Sequence, residues 1–472
     1  MAKTKKKKKE KTLHPFRENI EVVLFAIIMA MGLKVFAVEA YQIPTGSMQP
    51  TLMGTELLDP ATKRASGSLN DRVLVDKISY FFRDPQRWEV VVFRYPLLTH
   101  NNYVKRLVGM PNEELWIFGG NLYARELGSV DDFQILVKPW KVMLNIWKKV
   151  LPGVGDDATQ WHGWRTIGDY TTNADGHIQF NGSGRSQYTT SIRNGYLHGY
   201  PDEVYFSVPN VSSRSRHAVG DLRLQFQLDG SQSSGTFSTA LNLGKNIIGA
   251  EFDASGKLTL NLPTGELREL EIPANFNGEV DIAFWDNTLR VALDDDVVFR
   301  ETMQLEPHEP RNNSMQLVVD GSNWTLSPVK VSRDLHYLPP RQNAAPVFEV
   351  TGGHYFMLGD NTQNSLDSRD WQREEFSYQD DNGETVKIAG DHLQHGSDPT
   401  YNNPRWNMPH DIMTLRDEFG NLNILYEDQV KGAADVLQHA PLVPRNYFLG
   451  RALAVFMPLK PIAPTNRFTL VQ

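Results

Sequence analysis

Pro44-Thr45-Gly46-Ser47-Met48-Gln49-Pro50-Thr51-Leu52 is the stretch from which the rest of the chain can be read. Two prolines bracket a serine set between Gly and Met. Proline lacks the amide donor and blocks a continuing helix, so the segment is a loop. A serine on such a loop can act as a nucleophile whose neighbouring backbone amide binds an oxyanion. Read alone, a plain turn serine is the simpler reading.

On the N-terminal side lies an apolar run, Val22 to Leu33, interrupted by Lys34 and resumed over Val35 to Val38. As one helix over 20–40 it would span roughly 31 Å, about one bilayer core. Residues 1–20 carry seven Lys, one Arg and two Glu, whereas the whole 472-residue chain has a net charge of −8. The basic head predicts a cytoplasmic N-terminus, with everything after about residue 40 exported. A cleavable leader, with small residues at Ala37 and Ala40, fits the same residues. A basic head on an acidic body argues against nucleic-acid binding. The absence of cysteine excludes disulfides, Cys-ligated zinc, Fe–S clusters and thiol catalysis.

On the C-terminal side, Val73-Leu74-Val75, Val90 to Phe93 and Tyr103-Val104 read as strands. Lys105 lies inside the apolar run Tyr103 to Val108. Burial disfavours an ammonium, and a neutral amine can serve as general base for a serine; a strand lysine facing water is the commoner case. Apolar spacing predicts a helix over 136–151, packed on its own domain with a solvated basic edge, or else lying at a membrane interface. Residues 160–335 read as short strands and tight turns, similar in pattern to a jelly roll. Asp286-Asn287 and Asp294-Asp295-Asp296 mark hairpin turns rather than a metal site. His392 and His395 lack the spacing of a zinc helix and read as loop. Gly359-Asp360-Asn361-Thr362-Gln363-Asn364-Ser365-Leu366-Asp367-Ser368-Arg369 is a turn-rich loop with an internal Asp–Arg pair.

In this order and at these separations, the serine segment, the strands at 71–77 and 88–96, the lysine segment and the 359–369 loop resemble bacterial signal peptidase I (leader peptidase). Val443-Pro444 and Gly450 to Pro458 are similar to that family's closing strand. The resemblance covers about 1–125, 345–369 and 441–472. It implies Ser47 as nucleophile and Lys105 as general base. Thr45, where the family usually has serine, and the Ser47 amide would hold the oxyanion. Ser365 would orient Lys105, with Asp367 and Arg369 as a structural ion pair and Asp360 nearby. Ile43, Pro44, Met48 and Val104 would line small pockets for the substrate's −1 and −3 side chains. The departures are Asn70 for a frequent Gly, Trp88-Glu89 for the usual Gly-Asp, and Thr362 for the Arg common after Gly-Asp-Asn.

The expected fold class is mainly β: an N-terminal transmembrane helix and an antiparallel catalytic core interrupted by a large jelly-roll-like insert. The expected division is a basic tail 1–19, an anchor 20–40, core 41–125, an insertion 126–344, core 345–369, a second insertion 370–440 and a closing strand 441–472. The resemblance implies a retained anchor and a single-pass protein of the cell membrane whose catalytic domain is extracytoplasmic. It implies a serine endopeptidase, free of cofactor and metal, that cuts signal peptides from exported preproteins through an acyl-enzyme. Its partners would be preprotein signal peptides and the lipid bilayer, with the 160–335 insert open to a carbohydrate or protein partner. Two alternatives are a self-cleaving Ser–Lys repressor, which would need a DNA-binding head, and an exported carbohydrate-binding or envelope-interaction protein with a degenerate peptidase core.

Overall fold

The computed structural model describes residues 15–32, 37–59, 62, 64–153, 156–195, 216–341, 347–393, 402–407, 410–431, 433–440, 442–458 and 468–471. The lysine-rich head, Lys34 and His395 lie outside these residues. The protein is mainly β.

The strand Val90–Tyr95 is apolar at almost every position because both of its faces are buried. On one face Val90 and Val92 pack with Ile43, Met48, Leu52, Val73 and Val75. On the other, Val91, Phe93 and Tyr95 meet Leu107, Tyr355, Met357 and Trp371. This strand lies inside an antiparallel sheet whose order is Val38–Gln42, Arg72–Asp76, Phe448–Met457, Val90–Tyr95, Leu98–Gly109, His354–Leu358, Val443–Pro444. Three distant parts of the chain therefore close one sheet. Lys105 stands opposite Val91 in the register and is 3% exposed, so the strand-lysine-in-water reading does not hold.

A 14-stranded antiparallel sheet occupies the chain between Lys148 and Arg333. Its two halves join at Ile178–Tyr188, which pairs with Ser314–Ser322 at one end and Trp324–Leu326 at the other. Alternate residues, among them Leu224, Phe226, Phe237, Phe252, Leu260, Ile282 and Val291, meet in a single core. Asp286 and Asn287 take positive φ (43° and 58°), as do Asp294 and Asp295 (48° and 70°). These are the two-residue turns whose backbone matches the twist of the flanking strands.

Several expectations need correction. The helix predicted over 136–151 runs only Trp140–Ile146, and Lys148–Leu151 is a strand. Its face Val142, Met143 and Ile146 is buried, and Trp140 and Trp147 pack on Trp285. The basic edge is half withdrawn from water, because Lys138 and Lys148 are buried. Within the second insertion, residues 370–440, the chain builds two small sheets. Gln372–Gln379, Thr385–Asp391 and Ala434–His439 form one three-stranded sheet, and Arg405–Asn407, Ile412–Arg416 and Leu422–Tyr426 form another. His392 follows the strand Thr385–Asp391 outside any helix or strand, as a loop histidine should, and its Nδ1 lies 2.5 Å from Glu374.

The anchor predicted over 20–40 is not one helix. The helix runs Pro15–Gly32, and Val38–Gln42 is already a strand of the core sheet. Among the described residues, no helix is long and apolar enough to cross a membrane. Arg17, Glu18 and Glu21 occupy its first turns and shorten the apolar run. Val22, Val23, Leu24, Phe25, Ile27, Ile28 and Met29 are exposed all round it.

Candidate active site

The chain leaves Val38–Gln42 and enters a short 3-10 turn, Gly46–Met48, that carries Ser47. The turn is gripped from two sides. The Ile43 amide donates to the Asp71 carbonyl (2.8 Å), and the Met53 amide to Asp71 Oδ2 (2.8 Å). From the other side, the Asn361 amide donates to the Ser47 carbonyl (3.1 Å), and Asn361 Nδ2 to the Gly46 carbonyl (2.8 Å). Gly54 lies so close to Thr45 and Ile43 that a Cβ would fall 2.5 Å from the Thr45 carbonyl oxygen, which leaves glycine alone to fit. Thr45 precedes the turn in an extended conformation, and its hydroxyl makes no capping bond to it.

Lys105 Nζ donates to Ser365 Oγ at 3.1 Å. Burial pushes this amine down to about 8; Asp367 and Asp360 oppose the shift and Arg369 adds to it. Ser365 is fixed by its amide, which donates to the Asn361 carbonyl (2.8 Å). Gly359 passes behind both groups: a Cβ there would lie 2.1 Å from Ser365 Oγ and 2.5 Å from the Ser47 carbonyl oxygen.

Two buried ion pairs hold the 359–369 loop. Arg369 meets Asp367 through two bonds of 2.8 Å, and Asp367 Oδ2 also accepts from the Gly359 amide (2.9 Å). Burial would raise the Asp367 carboxyl, but Arg369 holds it below the usual range. Asp360 pairs with Arg106, through bonds of 2.8 and 2.7 Å between fully buried side chains. Arg106 likewise outweighs burial and keeps Asp360 low. Thr362 donates its hydroxyl to the His336 carbonyl (2.7 Å).

Ser47 and Lys105 face one cavity of about 340 Å³, also lined by Ile43, Pro44, Thr45, Met48, Val104, Tyr41, Val92, Asn102, Tyr103, Asn364 and Leu366. Seven of the positions singled out in the sequence thus surround one space. Ser365 does not line it but bonds Lys105, and Asp360, paired with Arg106, and the pair Asp367 with Arg369 lie in the same loop as Ser365. Arg106 was not singled out, yet the sequence holds a signal for it. Neighbouring strand residues point to opposite faces, so in a strand buried on both faces Lys105 and Arg106 are both buried. Trp88, in the place of a frequent glycine, takes φ 79°. It is buried, its carbonyl accepts from Arg106 Nη1 (2.7 Å), and its ring lies 5.2 Å from Lys138 Nζ.

A second charged cluster lies in the interior. The carboxylates of Asp221, Asp286 and Asp334 come within 4.8 Å of one another. Lys138 Nζ sits among them, 2.6 Å from Asp286 and 2.9 Å from Asp334. The lysine supplies the positive charge that such a group of acids requires. Burial and its two neighbouring aspartates push Asp221 well up, toward the protonated form.

The chain matches the family described as signal peptidase, peptidase S26, over residues 16–127 and 290–385. It is 34% identical over 141 residues to the probable signal peptidase I-2 of Synechocystis sp., an alignment covering 29% of this chain and 57% of that one. It is 36% identical over 141 residues to the signal peptidase I of Pseudomonas fluorescens, covering 26% and 43%. The chain spans about half the length of the curated relatives it matches. Among solved structures, the carbohydrate-binding module CBM66 from Bacillus subtilis aligns with a TM-score of 0.24 at 13% identity, over 36% of this chain and 94% of that one.

Proposed function

We propose, from its kinship with the bacterial signal peptidases I, that this chain is a serine endopeptidase that removes signal peptides from exported preproteins. The observation that carries the proposal is the buried Lys105, bonded to Ser365 and facing the same cavity as Ser47. An amine brought down to about 8 is partly neutral at physiological pH and can take the Ser47 proton. Ser47 Oγ then attacks the scissile carbonyl. The oxyanion is received by the Ser47 amide and the Thr45 hydroxyl. The Lys105 ammonium gives its proton to the leaving amine, and the acyl-enzyme is hydrolysed by water that Lys105 activates in turn. Ile43, Pro44, Met48 and Val104 restrict the cavity to small side chains at −1 and −3.

The catalytic core in this reading is 41–125, 345–369 and 441–472, with 126–344 and 370–440 inserted into it. We further propose that the enzyme works at the outer face of the cell membrane. The exposed apolar helix, Val22 to Met29, would enter the bilayer, and the lysine-rich head would stay cytoplasmic. The core sheet carries a cross-strand row of its own, Ala40, Leu74, Ala454 and Leu470, ending in the exposed Leu470. Flotation with phospholipid vesicles should follow this helix and be lost when residues 1–32 are removed; unchanged flotation would sink the membrane reading. A preprotein cleavage assay on wild type, Ser47→Ala and Lys105→Ala tests the chemistry. Cleavage by wild type and by neither variant is expected, and unaltered cleavage by either variant rules the dyad out.

A further inference from the structure

The long segment 126–344 does more than interrupt the core, because its end returns to the loop that holds Lys105. Thr362 Oγ1 donates to the His336 carbonyl at 2.7 Å, and Arg369 Nη1 to the Leu338 carbonyl at 2.8 Å. Gln363 Nε2 donates to the Asn194 carbonyl. Arg341 Nη2 reaches the carbonyls of Gln363 (3.4 Å) and Ser365 (3.2 Å). Arg341 is itself steadied by Asp370, through its amide on Oδ1 (2.8 Å) and its Nε 3.5 Å from Oδ2.

The donors and acceptors of this contact straddle one residue. Ser365 presents its hydroxyl to Lys105 on one side and its carbonyl to Arg341 on the other. Residues 361–368 belong to no helix or strand, so bonds of this kind set their position. The segment 334–341 is fixed in turn: Asp334 on Lys138 at 2.9 Å, and the Tyr337 amide on the Gly120 carbonyl at 2.9 Å. The grip is therefore anchored in both the inserted domain and the core.

We propose that 334–341 is a strap that positions the Ser365–Lys105 contact, with Arg341 as its positioning residue. The proposal rests on the peptidase reading above and deepens it: the inserted domain sets the geometry of the base. A strap of this kind also keeps water from Lys105 Nζ, since a loosened Ser365 would open the buried amine to solvent.

The test uses the full-length protein. Arg341→Ala should lower kcat about tenfold with KM within about twofold of wild type. Arg341→Lys keeps a cation beside Asp370 but has no planar fork for two carbonyls, and should recover part of the loss. Hydration of Lys105 in Arg341→Ala should move the acidic limb of kcat/KM up by about half a pH unit or more. Thr362→Val, which removes the bond to His336 at nearly constant volume, should shift both readouts the same way. The 13Cε resonance of Lys105, assigned with Lys105→Arg, follows the amine's titration without turnover. An upward shift in that titration in the two variants supports the strap even if the wild type cleaves no preprotein, a result that would refute the peptidase reading alone. Folded variants with wild-type kcat, wild-type pH limb and an unmoved Lys105 titration would overturn the strap.

Discussion

Changing pH perturbs the proposed base directly, and the size of the response follows from the burial of Lys105. With the amine at about 8, about a tenth is neutral at pH 7 and about nine-tenths at pH 9. kcat/KM should rise about tenfold across that interval and then level off. A lysine at the ordinary value near 10.4 would give a rise of about a hundredfold over the same range, with no plateau. Asp360 and Asp367 are held low by Arg106 and Arg369, so neither should place a further limb above pH 5. The assay is cleavage of a peptide with alanine at −1 and −3 between pH 6 and 10, with Ser47→Ala as the blank. A slope of one that continues past pH 9.5 would refute the buried-amine account, and so would a limb near pH 6.5.

The same burial has a cost in stability with a definite sign. Between about 8 and 10.4 the unfolded chain holds a proton on Lys105 that the folded chain has lost, so stability rises with pH through that window. At pH 7 the full penalty of about 3 kcal/mol is present, so Lys105→Met should raise the denaturant midpoint there while abolishing cleavage, the gain shrinking toward pH 10; a lowered midpoint at pH 7 would contradict the burial argument. Asp360→Asn leaves the Arg106 guanidinium in the interior without its counter-charge and should cost about 3–5 kcal/mol in the same measurement, with a wild-type midpoint counting against the pair. Gly359→Ala sets a methyl against Ser365 Oγ and the Ser47 carbonyl, and should reduce kcat about a hundredfold with little change in far-UV circular dichroism. Wild-type kcat in that variant would show that the two groups are not held as described.

Much of the cavity was legible in the sequence because its residues sit in short, locally constrained motifs. A proline-bracketed loop, a lysine within an apolar strand and a Gly-Asp-Asn turn each mark their own backbone, and resemblance to a family assembles them. What escaped depends on long-range pairing. Arg106 finds Asp360 across 254 positions of sequence, and Lys138 finds Asp286 across 148. No periodicity reports such pairs, since each partner alone reads as an ordinary strand or turn residue. The helix predicted over 136–151 failed for a related reason. Its apolar spacing is real, but Lys148–Leu151 is claimed by pairing with Lys330–Arg333. The end of the predicted anchor failed likewise: Val38, Glu39 and Ala40 fit the headgroup end of a membrane helix, yet they pair with Asp76, Val75 and Leu74.

Trapping the acyl-enzyme would decide whether Ser47 and Lys105 carry the chemistry. Full-length protein would be mixed with a preprotein, quenched in acid within milliseconds to seconds, digested and analysed by mass spectrometry. An ester of the cleaved signal peptide is expected on Ser47, absent in Lys105→Ala at neutral pH. Cleavage that proceeds with no adduct on Ser47, or with the adduct on another residue, would contradict that assignment.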